Sequence, residues 1–213
     1  RIYGSKQEPK GGKRTAKEIK KFIEASYDEK NPPKEIEGFL LDTELSNKTA
    51  KVYHNPTTNE TVIAHRGTQG ITDWGNNIAY VTGNYEKTDR YKKGKKNQKK
   101  AEEKYGADTI STLGHSQGAV IARKTGKNTK EIIGVNPASL GEKPLENEYN
   151  IRTSNDLVSK MLPDGKNVTT IKSKTSNPLK EHSASNLSAI KQQEIGAGIK
   201  ISFNDMDDER KGG

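Results

Sequence analysis

The stretch from Asp108 to Gly126, "DTISTLGHSQGAVIARKTG", constrains this chain more than any other. "DTISTL" predicts a strand, "QGAVIARKTGK" predicts a helix with Gly126 as its stop, and Gly114, His115 and Ser116 make the turn between them. A serine flanked by Gly114 and Gly118, each two positions away, fits a sharp strand-to-helix elbow that presents its hydroxyl at the edge of a sheet. The helix leaving such a turn aims its first N–H groups and its positive end at developing negative charge.

The neighbouring segments fit a single sheet. Thr15 can cap a helix with Ile19, Phe22, Ile23, Ser26 and Tyr27 on one face, ended by Asn31-Pro32-Pro33. "GFLLDTEL", "TAKVYHN" and "ETVIAHRG" read as strands joined by hairpins, and "EKTDRYKKGKKNQKKAEEKY" (86–105) reads as a solvated helix with Gly94 as its weak point. "EIIGVN", "YNIRTS" and "NVTTIKS" supply further strands, and "GIKISF" a short edge strand near the end. Alternating β and α units predict an α/β fold, a compact central sheet flanked by helices and largely parallel in its second half. We expect a flexible basic arm over 1–14, one folded α/β domain over 15–190 and a partly disordered tail over 191–213.

Composition narrows the partners. The 213 residues suffice for one domain, yet only 29% are hydrophobic and mean hydropathy is −1.02, so a small core inside a wide polar shell is expected. The formal net charge of +9 favours anionic surfaces. With no cysteine there is no disulfide framework, thiol nucleophile or Cys-based metal site. The first residues, from Arg1, lack the apolar core of a signal peptide, and no window suggests a transmembrane helix, so a soluble chain, either a fragment or processed, is expected.

A serine hydroxyl needs a base and an orienting carboxylate before it attacks anything. Of the four histidines, His115 is directed away from its neighbour by the elbow, His54 reads as a cross-strand or surface residue, and His65 as a packing or hydrogen-bonding one. His182, in "PLKEHSASNL", lies where the chain order Ser, Asp, His would place the base. Asp156 follows a strand end, where ligand-facing residues gather in α/β sheets, whereas its rival Asp164 sits in the turn "LPDGK". The oxyanion donors would be the N–H of Gln117 and, after Gly67, the N–H and hydroxyl of Thr68; Arg66 reads as a structural ion-pair partner.

These pieces have a family likeness. "HRGT" after a strand, "DWGNN", "GHSQGAVIA", "IRTSNDLVSKMLP" and "EHSASNL" resemble, in order, the signatures of the class 3 (fungal-type) lipases of the α/β-hydrolase fold, over about Ile19 to Leu187. The resemblance implies Ser116 as nucleophile, Asp156 and His182 as its partners, and Thr68 with Gln117 as the oxyanion hole. It also implies a lid near "QGITDWGNNIAYVTGNYE", with Ile71, Trp74 and Ile78 as lining residues, although Trp74 reads more simply as core packing. His65, Gln117 and Ala119 depart from the family's usual aromatic, leucine and glycine.

The activity implied is hydrolysis of a lipid ester, by a lipase or phospholipase, through an acyl-enzyme, with no cofactor and no metal. Between Lys92 and Lys104 the chain carries Lys92, Lys93, Lys95, Lys96, Lys99, Lys100 and Lys104 and no arginine. Such a run reads first as a solvated face, and as a partner site it suits anionic lipid headgroups better than nucleic acid, whose bases are read chiefly by arginine and aromatic residues. Two other functions therefore remain: a catalytically weak lipase-like module binding anionic membrane surfaces, and nucleic-acid binding through the basic segment.

Overall fold

A computed structural model describes residues 14–67, 85–138, 141–156, 159, 162–165, 167–171 and 194–195. Its centre is a sheet of eight strands: β2 (Glu35–Ile36), β3 (Phe39–Leu41), β4 (Ala50–Asn55), β5 (Glu60–His65), β6 (Ile110–His115), β7 (Glu131–Val135), β8 (Glu148–Thr153) and β9 (Val168–Ile171). They lie side by side in chain order. The pairs from β2 to β5 are antiparallel and those from β5 to β9 are parallel, as the shift from hairpin turns to long crossovers requires. Helices cover both sides of this mixed sheet, which is the α/β architecture the sequence pattern predicts.

The period of two along the strands divides the core between the two faces. Val62, Ala64, Leu113, Ile133, Val135 and Ile151 pack with α1 (Ala16–Tyr27), whose Ile19, Phe22 and Ile23 are fully buried. The helix begins where expected, because Thr15 Oγ1 accepts the Glu18 N–H at 3.1 Å. On the other face, Ile63 and Ile110 pack with Ala101 of α2 (Asp89–Tyr105), and α3 (Gln117–Thr125) sets Ile121 against Tyr91.

Three segments differ from the sequence expectation. The strand expected from "GFLLDTEL" stops at Leu41, because Asp42 Oδ1 accepts the N–H groups of Glu44 and Leu45 and turns the chain. α2 is not solvated all round: Tyr91, Gly94, Gln98 and Ala101 are buried. Gly94 is a close-approach site on this helix, since a Cβ there would lie 2.9 Å from Ile121 Cγ2. Arg14, placed at the end of the basic arm by sequence, is 2% exposed. It forms β1 (Arg14–Thr15) against β10 (Glu194–Ile195) and reaches Glu18, Glu60 and Glu131, at 3.1, 3.6 and 3.9 Å. Burial pushes the Glu18 and Glu131 carboxyls above their ordinary value despite the guanidinium beside them. The expected strand "GIKISF" lies outside the described residues.

Candidate active site at the serine elbow

Ser116 stands between β6 and α3 with φ 60° and ψ −122°, a backbone conformation strained for any residue with a side chain. The strain is held from several sides. The Ser116 N–H donates to the Val135 carbonyl at 3.1 Å, and the Ser116 carbonyl accepts the N–H groups of Ala119 and Ala138, both at 3.1 Å. The elbow is thereby tied to the end of β7 and the loop after it.

The flanking glycines are steric requirements. A Cβ on Gly114 would lie 2.3 Å from the Gly118 carbonyl oxygen, and one on Gly118 would lie 2.1 Å from the His65 carbonyl oxygen. The first turn of α3 therefore crosses directly over the ends of β6 and β5. The same crowding continues to Gly67, where a Cβ would come within 3.0 Å of Ser116 Cβ. The loop after β5 thus runs along the serine.

Ser116 is 2% exposed, and its Oγ is a buried atom without a hydrogen-bond partner among the described residues. Buried polar atoms are usually satisfied, so packing alone does not account for this hydroxyl on a strained turn. Gln117 opens α3 and is 7% exposed; as the first helical residue its backbone N–H is not part of the helical ladder.

The three histidines among the described residues have different surroundings. His115 points to the α1 side, where its Nδ1 lies 2.5 Å from the Tyr27 hydroxyl. That hydroxyl also accepts the Gly67 N–H at 2.8 Å. The hydroxyl therefore bridges the two segments, and the direction of its bond with His115 Nδ1 follows the imidazole tautomer. Burial pushes the Tyr27 hydroxyl up to about 12, which keeps it protonated through the neutral range. His54 is the cross-strand residue expected: its Nδ1 is 2.9 Å from Thr61 Oγ1 and its ring stacks on Tyr105 at 4.3 Å. His65 is fully buried, with Nε2 3.1 Å from Gln98 Oε1, and desolvation lowers its pKa to about 4. Arg66 makes the structural ion pair expected of it, at 3.3 Å from Glu29.

Asp156 lies three residues past the end of β8, at the same sheet edge as Ser116 and two strands away. It is 2% exposed, and its Oδ2 accepts the Ser159 N–H at 3.0 Å and the Ser159 hydroxyl at 2.5 Å. Asp164, by contrast, is 89% exposed in its side chain and pairs with Arg152. Asn136 joins the two sides of this edge: its N–H donates to the Ile151 carbonyl at 2.7 Å, and its Oδ1 accepts the Thr153 N–H at 2.9 Å. Thr68, His182, Ile71, Trp74 and Ile78 lie outside the described residues.

Tyr27, Asn136 and Ser159 escaped the sequence reading. Asn136 carried a signal, being an asparagine directly after a buried strand and before Pro137, and it has φ 42°, a conformation asparagine tolerates. Ser159 carried a weaker one, three residues after Asp156 in the spacing of a side-chain cap. Tyr27 carried none beyond its place on the helix face.

No family model and no curated protein matches the chain. Solved structures do align with it. Lip2 lipase from Yarrowia lipolytica is 12% identical, with 77% of this chain and 80% of that chain covered and a TM-score of 0.49. The N225Q mutant of MDLA from Penicillium cyclopium is 14% identical, with coverage of 90% and 87% and a TM-score of 0.46. A triacylglycerol lipase from Penicillium expansum is 13% identical, with coverage of 76% and 82% and a TM-score of 0.38. The fold itself is defined by the chain's own strand order and elbow: a mixed α/β sheet flanked by helices, parallel from β5 to β9, with a serine at the strand-to-helix turn after β6.

Proposed function

We propose that this protein is a serine carboxylester hydrolase acting on lipid esters. The observation that carries the reading is Ser116 itself: strained, 2% exposed, with an Oγ unengaged among the described residues and with Gly67 packed against its Cβ. A loop serine with no chemical task would relax its backbone or bond its hydroxyl.

In this reading His182 takes the proton from Ser116 Oγ as the oxygen bonds to the ester carbonyl carbon, and negative charge develops on the carbonyl oxygen. The N–H of Gln117 and the N–H and hydroxyl of Thr68 donate to that oxygen. Collapse breaks the bond to the alcohol, which leaves with the proton from His182, and Ser116 holds the acyl group. Water then repeats the sequence and releases the carboxylic acid and the serine.

Asp156 orients His182 and stabilises its charged form. The two-strand separation from Ser116, about 10 Å at the usual strand spacing, leaves room for an imidazole between them. Ile71, Trp74 and Ile78 serve the acyl chain. Lipid esters are favoured because the five ordered sequence signatures resemble lipases.

Turnover of p-nitrophenyl esters of graded acyl length tests the proposal. Hydrolysis that rises with chain length and vanishes in Ser116→Ala is expected. Equal rates in the wild type and Ser116→Ala overturn it.

A further inference from the structure

We infer that the outward face of α2 docks the protein on an anionic lipid bilayer; the choice of a bilayer rests on the ester-hydrolase reading. α2 carries eight basic side chains against three acidic ones, which is more than half of the chain's net +9. Its buried stripe of Tyr91, Gly94, Gln98 and Ala101 turns Lys92, Lys93, Lys95, Lys96, Lys99 and Lys100 outward, all exposed.

This face is poorly neutralised by the chain. Among the described residues, Lys92, Lys93, Lys96 and Lys100 make no ion pair, and Lys99 has only the exposed Glu103 at 3.7 Å. Lys95 shares the single carboxylate of Glu86 with Lys124 and Lys127, and Glu86 is held below its ordinary value first by its hydrogen bond to Lys124. The basic surface therefore continues from α2 onto the end of α3. Lys92, Lys95, Lys96, Lys99 and Lys100 stand three or four residues apart, a spacing at which like charges destabilise a helix. α1 is built otherwise, pairing Lys20 with Glu24 and Lys21 with Glu37. Repulsion left standing on one helix is relieved by a sheet of negative charge outside the chain.

The chemistry of the face selects the kind of anion. Its charges are lysine ammoniums, which act as point charges without the planar fork that reads bases. Tyr91 is turned into the core and Tyr105 onto His54, so among the described residues of the helix no ring is offered to a stacked base. The apolar anchors that protein interfaces use are missing from its outward lysines. A bilayer asks only for charge over an extended area.

Position agrees with this occupant. The site end of α2 lies against the end of β5, with Gly94 beside His65, and Arg90 donates to the Arg66 carbonyl one residue before Gly67. A bilayer held by this face lies beside the sheet edge that carries Ser116.

The test uses full-length Ser116→Ala protein, so that hydrolysis does not alter the lipid, and co-sedimentation with vesicles of phosphatidylcholine alone or mixed with phosphatidylglycerol. Binding to the mixed vesicles only, lost at high salt, is expected. Lys92→Gln with Lys96→Gln should weaken it on the order of 30-fold with thermal stability kept, while Lys17→Gln with Lys48→Gln should not. Equal binding to neutral vesicles, indifference to the Lys92 and Lys96 changes, or tighter binding to duplex DNA than to the anionic vesicles overturns the inference. Turnover of a soluble short-chain ester by the wild type reports on the hydrolase reading separately, because it involves no vesicle.

Discussion

The Tyr27 hydroxyl lies 2.5 Å from His115 Nδ1 and accepts the Gly67 N–H at 2.8 Å, so one side chain from α1 ties the residue before Ser116 to the residue before Thr68. In the proposed mechanism those two backbones carry the nucleophile and one oxyanion donor. Tyr27→Phe keeps the ring and leaves Gly67 N–H and His115 Nδ1 without this partner. We expect a loss of about 1–3 kcal/mol in stability. We also expect kcat for an ester to fall roughly 10-fold with KM nearly constant, because misplacing the donor affects the transition state more than binding. Denaturant titration and steady-state kinetics check both; an unchanged kcat would show that the tie has no bearing on the site.

The glycines around the elbow differ sharply from a glycine elsewhere. Gly118→Ala drives a Cβ to 2.1 Å from the His65 carbonyl oxygen, where only backbone could yield, whereas Gly165 has nothing within 4 Å of an added Cβ. Gly118→Ala is expected to cost about 3 kcal/mol or more, or to prevent folding. Gly165→Ala should stay within roughly 1 kcal/mol of the wild type, on the stabilising side if anything. Thermal unfolding of the two variants side by side checks the contrast.

Acid should weaken the fold through His65. Its imidazole is fully buried and neutral, with pKa about 4 when folded, whereas the unfolded chain titrates near the ordinary 6.5. Above that value neither state is protonated and stability is unaffected. As pH falls from about 6.5 towards 4 the unfolded state takes up a proton that the folded state does not, so stability is lost across that window, by on the order of 2–3 kcal/mol. His65→Gln removes this slope. Urea midpoints at pH 7 and pH 5 should therefore separate in the wild type more than in His65→Gln, and equal separations would contradict the assignment.

Asp156 and Asp164 make a second contrast. Asp156 is 2% exposed and held by Ser159, while Asp164 is 89% exposed in its side chain. Asp156→Asn is expected to lower kcat for ester hydrolysis by roughly 10³–10⁴-fold. Asp164→Asn should leave it unchanged and alter stability by no more than about 0.5 kcal/mol. Kinetics with one soluble ester decide between them.

What could be read in one dimension was local. The strand-forming run before Gly114 and the helix formers after Gln117 placed the elbow, and Thr15 placed the start of α1. α2 was harder, because it buries a tyrosine, a glycine, a glutamine and an alanine rather than an aliphatic stripe. Gln98 belongs inside because two residues far away in sequence satisfy its amide: His65 Nε2–H donates to its Oε1, and Thr112 Oγ1 accepts from its Nε2. Arg14 likewise reads as one more basic residue until Glu18, Glu60 and Glu131 converge on it. Tyr27 is legible as a helix-face residue, but its hydroxyl finds His115 across 88 positions of chain. Charges and hydroxyls whose partners are distant are invisible to periodicity.

The central claim is that Ser116 is an activated nucleophile, and a fluorophosphonate probe tests it most directly. The probe reacts with a serine only where a base removes its proton and donors receive the new oxyanion. Incubation of the folded protein followed by peptide mass spectrometry should place one adduct on Ser116, absent after heat denaturation and absent in Ser116→Ala. No adduct on the folded wild type, or equal labelling of Ser116→Ala, would contradict the account.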